Sequence, residues 1–108
     1  YGYALVFGDA LVYGDALVSG YARVFGNALV KSNRDYLCIG PIGSRDAYLT
    51  AHIDSKCGIR VNTGCFSGPL TEFKQRVNNH SNKTAQSEYT IVIQLIKMRW
   101  PNEQNSNA

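Results

Sequence analysis

Residues 8–30 read GDALVYGDALVSGYARVFGNALV, and the kind of residue recurs at every sixth position. Gly8, Gly14, Gly20 and Gly26 share a phase with Gly2, and Ala10, Ala16, Ala22 and Ala28 share the next with Ala4. Val12, Val18, Val24 and Val30 fall in a third phase with Val6, so five registers follow one another without a slip. Alternate side chains of a β-strand face the same way, so an Ala and a Val two apart point to one side. Each unit therefore describes a short strand with a small and a branched residue turned inward, then a turn. Gly14-Asp15 and Gly26-Asn27 are turn dipeptides with the backbone tolerance such a corner needs. Glycine at every sixth position excludes a helix, at a cost of about 1 kcal/mol each against alanine. An antiparallel meander would give the strict sixfold phase no purpose.

This motif resembles the bacterial transferase hexapeptide repeat, in which three hexapeptides make one triangular turn of a left-handed parallel β-helix. The resemblance covers residues 1 to about 31. It implies a fold and says little about activity. Five units make fewer than two such turns. Repeat units bury their faces on their neighbours, and fewer than about three are rarely stable alone. A fully buried Val contributes roughly 1.5–3 kcal/mol, so the coil ends call for cover. Tyr1, Tyr3, Phe7, Tyr13, Tyr21 and Phe25 flank the turns on the expected solvent side, an aromatic row too large for a monomer surface. The expectation is a homo-oligomer, with other subunits rather than the C-terminal part covering the coil. The triangular coil favours a trimer.

After residue 31 the sixfold register ends. Residues 36–39 (YLCI) read as a buried strand and 40–46 (GPIGSRD) as a tight loop. Residues 47–53 and 59–62 read as strands joined by a hairpin turn at 54–58, and 63–68 as another loop. Pro69 opens a helix, where its missing N–H costs nothing, with Leu70, Phe73 and Val77 on one stripe and Glu72 in the positive first turn. Residues 78–82 (NNHSN) break it and offer a new cap. From Lys83 to about Arg99, the spacing of Ala85, Tyr89, Val92, Ile93 and Ile96 is helical, against the strand tendency of residues 90–93. Ile91, Leu95 and Met98 form a second apolar stripe, which predicts a helix buried on two sides and hence a subunit contact. The predicted class is α+β, mainly β. It comprises a short left-handed parallel β-helix (1–31), a small antiparallel sheet with two helices (32–100) and a polar tail (101–108).

The segments IGPIGSRDAYLT and GIRVNTGCFSGPLTEFKQRV, within residues 37–99, resemble a module of uncharacterised phage and bacterial proteins that often follows hexapeptide repeats. Gly43-Ser44-Arg45 and Gly64-Cys65-Phe66 are its most distinctive pieces. A small sheet followed by helices is also similar in architecture to phage proteins that sequester nucleotide immune signals, a likeness carried by no motif.

With 44% apolar and 18% charged residues, the chain is globular rather than disordered. A net charge of +3 suits an anionic partner but is too mild to demand nucleic acid. No apolar run approaches the ~18 residues of a membrane span, so no membrane partner is expected. Cys38, Cys57 and Cys65 form no CxxC pair, which reads as free thiols in a reducing compartment: the cytoplasm, or the host cytoplasm if the chain is phage-encoded. Zinc would need His52 or His80 without the usual close spacing. No metal and no cofactor are expected.

Three chemistries compete. Hexapeptide acyltransferases commonly use a His as general base, for which His52 and His80 are the candidates. His52 alternates with Tyr48 and Thr50 on a face expected to meet solvent, His80 falls in a turn, and no carboxylate is placed beside either. Cys65 reads as a small buried hydrophobe rather than a nucleophile. No catalytic residue is therefore assigned. The glycine loop is the strongest binding candidate. Gly40 and Gly43 free the backbone to present consecutive N–H groups, Ser44 adds a hydroxyl, and Arg45 brings a planar fork suited to phosphate. Arg60 and Asn62 share a strand face and would complete the site, Lys74 would add charge, and Tyr48 a ring for stacking a base. The ligand is then an anionic, nucleotide-like small molecule held between subunits. The alternative is a structural loop with Arg45 paired to Asp46 or Asp54. The functional expectation is a non-catalytic oligomeric binding protein that sequesters a phosphorylated nucleotide signal, as a phage protein would. The rival readings are an acyltransferase and a structural trimerisation module.

Overall fold

A computed structural model describes residues 5–6, 11–12, 23–24, 26–64 and 66–102. Among the described residues the repeat contributes four two-residue strands: β1 (Leu5–Val6), β2 (Leu11–Val12), β3 (Arg23–Val24) and β4 (Leu29–Val30). They pair in parallel, β1 with β3 and β2 with β4, and each partner lies 18 residues on, Leu5 against Arg23 and Leu11 against Leu29. Eighteen residues are three sixfold units, so the repeat stacks on itself with a period of three. Val24, Ala28 and Val30 are fully buried, as the inward phase requires. The aromatic row lies outside the described residues.

A capping box at Ser32 and Asp35 carries the chain out of the repeat. Asp35 accepts from the amides of Lys31 (2.9 Å) and Ser32 (3.2 Å), and the Ser32 hydroxyl accepts from the Arg34 amide. An antiparallel meander follows: β5 (Tyr36–Ile42), β6 (Ala47–Asp54), β7 (Gly58–Thr63) and β8 (Phe66–Pro69), in spatial order β5-β6-β7-β8. Strand β5 runs on through residues expected in the loop, with a register shift between Ile39 and Ile42 that accommodates Pro41 on an edge strand. Residues 66–68, expected as loop, and Pro69, expected to open the helix, form the other edge. FSGP has no apolar alternation, and its place is set by pairing, Asn62 against Ser67 and Thr63 against Phe66.

Helix α1 (Leu70–Asn78) buries Leu70, Phe73 and Val77, and α2 (Lys83–Arg99) buries Ala85, Tyr89, Val92, Ile93 and Ile96, the two stripes the spacing predicts. Pro69 is the residue before α1 rather than its first. The Asn82 side chain caps α2 by accepting from the Ala85 amide (3.0 Å), and Gln86 Nε2 donates to the Val77 and Asn78 carbonyls at the end of α1. Both helices pack on the sheet face made by Leu49, Ala51, Ile59 and Val61. At its far end α2 holds the start of β5: Arg99 donates to the Asn33 and Tyr36 carbonyls, and Trp100 Nε1 to the Arg34 carbonyl (2.7 Å). The second stripe of α2 is exposed in the single chain, Ile91 by 70%, Leu95 by 39% and Met98 by 77%. No helix among the described residues is long and apolar enough to cross a membrane.

The opposite sheet face differs from expectation. Tyr48, Thr50 and His52 do share it, joined by Asp54, which ends β6 rather than opening the turn, but it does not meet solvent: Thr50 and His52 are fully buried, and Asp54 nearly so. Strands β3 and β4 lie against β6, and an isolated bridge joins Ala28 to Asp54. The last described rung of the repeat thus finds its cover within its own chain.

Candidate functional site

The turn between β5 and β6 is built around Gly43. Its φ of +80° favours glycine, and a Cβ there would lie 1.9 Å from the Tyr89 hydroxyl oxygen. The Gly43 amide donates to Glu88 Oε1 at 2.7 Å, so the backbone donor expected to meet an anion is already engaged by α2. Ser44 and Arg45, next in the turn, are exposed and line an open cleft of about 700 Å³, a size suited to a small molecule. Arg45 makes no ion pair with Asp46 or Asp54.

Across the cleft stand the end of β7, the start of β8 and the break between the helices. Thr63, Phe66, Arg76, His80 and Tyr89 contribute to the lining. The Arg76 guanidinium lies over the Phe66 ring, 4.9 Å from its centroid, which holds a flat cation at the cleft wall. Glu72 stands 3.8 Å from Arg76, and both side chains are about half exposed or more, so this is a weak pair. The His80 ring sits 5.8 Å from that of Tyr89, and its Nδ1 accepts from the Asn82 amide at 3.1 Å. The cleft therefore combines two guanidinium groups, one carboxylate, hydroxyl donors and aromatic walls. That chemistry suits an anion carrying a flat or apolar part.

Arg60, Asn62 and Tyr48 are not part of this cleft. Arg60 and Asn62 do share one strand face, but it is the face covered by the repeat, where they belong to a buried polar chain. Arg60 Nε donates to Asp54 Oδ2 (3.1 Å) and its Nη1 to the Ser67 hydroxyl (3.0 Å); that hydroxyl donates to Asn62 Oδ1 (2.6 Å). Asn62 Nδ2 donates to His52 Nε2 (3.2 Å), and His52 Nδ1 donates to the Ile53 carbonyl (3.0 Å). An amide nitrogen only donates and a carbonyl only accepts, so His52 is the neutral tautomer with its proton on Nδ1. Burial holds its pKa below the usual histidine range, although the Ile53 carbonyl and the Asp54 charge favour the proton. Tyr48 is half-buried on this same face. Lys74 lies beside Lys97, and burial followed by that neighbouring charge lowers its pKa.

Asp54 is the centre of the buried chain. Oδ1 accepts from the amides of Lys56 (2.8 Å) and Cys57 (3.1 Å), and Oδ2 from the Asn27 amide (3.1 Å) and Arg60. Burial alone would raise its pKa, but the amides and the Arg60 charge outweigh it and hold the carboxyl below the ordinary value. Cys57 is pushed up to about 11 by burial and by Asp54, and burial also raises Cys38. Cys65 lies outside the described residues.

Of the six expected binding residues, the structure brings Ser44 and Arg45 to the cleft. Gly43 shapes the turn beneath them, and Tyr48, Arg60 and Asn62 lie on the far face. Sequence reasoning missed Phe66, Arg76 and Tyr89. The signal for Arg76 was its place on the polar side of α1, three residues after the buried Phe73. No protein-family model, curated protein or solved structure matches the chain.

Proposed function

We propose that the chain is a non-catalytic, homo-oligomeric binding protein whose cleft takes an anionic, nucleotide-like ligand. The observation that carries this reading is the pairing of Arg45 and Arg76 with the aromatic walls of one open cleft. The two guanidinium groups supply charge-assisted hydrogen bonds to phosphate, and the partly exposed Phe66 supplies apolar surface, with Tyr89 buried behind the wall. Sequestration of a phosphorylated nucleotide signal, as a phage protein would perform, is the biological form that this reading implies. Binding without turnover fits the placement of three shifted groups: His52 and Asp54 are engaged on the opposite sheet face and Cys57 in the turn beside it, away from the cleft.

The N-terminal repeat is, on this reading, a left-handed parallel β-helix, supported by the sixfold phase and the 18-residue parallel pairing. Assembly as a trimer would take the exposed Ile91, Leu95 and Met98 stripe out of water. A structural trimerisation role rests on that same stripe. Acyl transfer would fall to His80, since both ring nitrogens of the buried His52 are engaged; no carboxylate among the described residues is hydrogen-bonded to His80.

A thermal-shift screen against nucleotides, cyclic dinucleotides and acyl-CoA separates these readings. A nucleotide at a hundred times its dissociation constant stabilises the fold by about 2.7 kcal/mol. A shift with acyl-CoA and release of CoA supports the enzyme, and no shift with any of them leaves the structural role.

A further inference from the structure

A parallel stack of rungs has an end problem. Each rung satisfies its backbone groups on the next, and the last is left with unpaired donors and acceptors and an open apolar face. Here the hairpin turn between β6 and β7 takes the place of a next rung. The Asn27 carbonyl accepts from the Ser55 amide (2.8 Å), the Asn27 amide donates to Asp54 Oδ2 (3.1 Å), and Ala28 bridges Asp54. Val24, Ala28 and Val30 are closed off with Tyr36 of β5 packed against them. The fit is specific to the corner of the repeat. Gly26 has a φ of +67°, and a Cβ added to it would lie 2.5 Å from Arg60 Nε, the atom that pairs with Asp54.

We infer that the polar face of the sheet is an end-binding surface for a hexapeptide stack, and that residues 32–100 act as its terminator. The surface recognises one rung with a Gly–Asn corner, through Asp54, Ser55 and Arg60, and prevents that rung from accepting a further coil. Among the described residues its contacts fall on the last rung, so on this inference the number of units upstream is left free, provided the sixfold phase is kept. Terminal units with a polar outer face are what keep repeat arrays soluble. The buried polar chain gives this one its polar character without unsatisfied groups.

Two variants of the full chain test this. Gly26→Ala forces Arg60 off Asp54 from the repeat side without touching the helices. Hydrogen exchange at the Asn27 and Ser55 amides is expected to quicken at least tenfold while the α2 amides at Val92–Ile96 stay as they were. Light scattering is expected to show a mass that rises with concentration beyond that of the unaltered chain. Unchanged exchange at Asn27 and Ser55, or faster exchange with no change in mass, overturns the role. The second variant duplicates residues 7–24 immediately after Val24, adding three units in phase, and decides the matter if Gly26→Ala unfolds the whole chain. Asn27 and Ser55 are expected to keep their slow exchange, and the assembly its number of subunits. Loss of that protection overturns the inference.

Discussion

Replacing Asp54 with alanine removes the acceptor for four hydrogen bonds at once, from the amides of Asn27, Lys56 and Cys57 and from Arg60 Nε. Each bond to a charged group is worth roughly 1.5–3 kcal/mol, but the four do not add. Lys56 is exposed and the Arg60 side chain 21% exposed, so those two donors recover water when the carboxylate is gone. The Asn27 and Cys57 amides are half-buried and recover less. The expected loss is about 3–5 kcal/mol, the range for breaking a buried ion pair from one side. At about 4 °C per kcal/mol for a chain of this size, the thermal midpoint falls by roughly 12 °C or more. Asp35→Ala is the control, since among the described residues Asp35 accepts from two amides, those of Lys31 and Ser32, in a partly exposed capping box and should cost about 1 kcal/mol. Urea titration of both variants, with slopes compared to confirm a common transition, reads the difference. An Asp54→Ala cost no greater than that of Asp35→Ala would refute the view that this carboxylate fastens the repeat to the sheet.

Three other outcomes follow from the same geometry. The folded-state pKa of His52 is depressed, so the unfolded chain takes up its proton first as pH falls below about 6.5. Stability is then fully present above pH 7 and declines below 6.5 by up to about 1.4 kcal/mol per pH unit, with Asp54 adding a further loss below about pH 4; a flat stability curve from pH 7.5 to 5.5 contradicts the buried neutral imidazole. Gly43→Ala places a methyl against the Tyr89 hydroxyl at a positive φ, so it should destabilise the fold by at least 2 kcal/mol on the order seen for overpacking, and displace Tyr89 from the cleft wall; a near-neutral result in denaturant titration counts against that contact. With a thiol pKa of about 11, roughly a thousandth of Cys57 is thiolate at pH 8, so in a Cys65→Ser background it should label far more slowly than a free thiol under native conditions; labelling at the rate of a small-molecule thiol would show that the burial is wrong.

The elements were legible where periodicity is strong. The stripes of Leu70, Phe73 and Val77, and of Ala85 through Ile96, are set by the 3.6-residue turn and needed no tertiary context. Strand β8 was not legible, because Phe66-Ser67-Gly68-Pro69 becomes a strand only through its pairing with β7. Strand alternation grouped His52 with Tyr48 and Thr50, and Arg60 with Asn62, but it is the β6–β7 register that puts the two sets on one face, and alternation alone does not say which face meets water. A face bearing Thr50, His52, Asp54, Arg60 and Asn62 reads as solvated, whereas here the polar groups satisfy one another beneath the repeat. The turn signal at Gly43 was sound, and its cause is contact with Tyr89, 46 residues away in sequence. For the same reason the cleft was half visible: Ser44 and Arg45 belong to a local motif, while Phe66, Arg76 and Tyr89 reach them only through packing of β8 and the helices on the sheet.

Calorimetric titration with the nucleotide that gives the largest thermal shift tests whether the cleft binds a phosphorylated ligand, using the unaltered chain, Arg45→Ala, Arg76→Ala and the double variant at equal oligomer mass. Each desolvated guanidinium–phosphate contact is worth roughly 1.5–3 kcal/mol, so each single change should weaken binding by about ten- to a hundredfold, and Arg45→Lys should restore only part because the fork is lost. If both residues grip one phosphate, the double variant should lose less than the product of the two single losses. Affinity unchanged in both single variants, with assembly intact, would contradict a ligand site in this cleft.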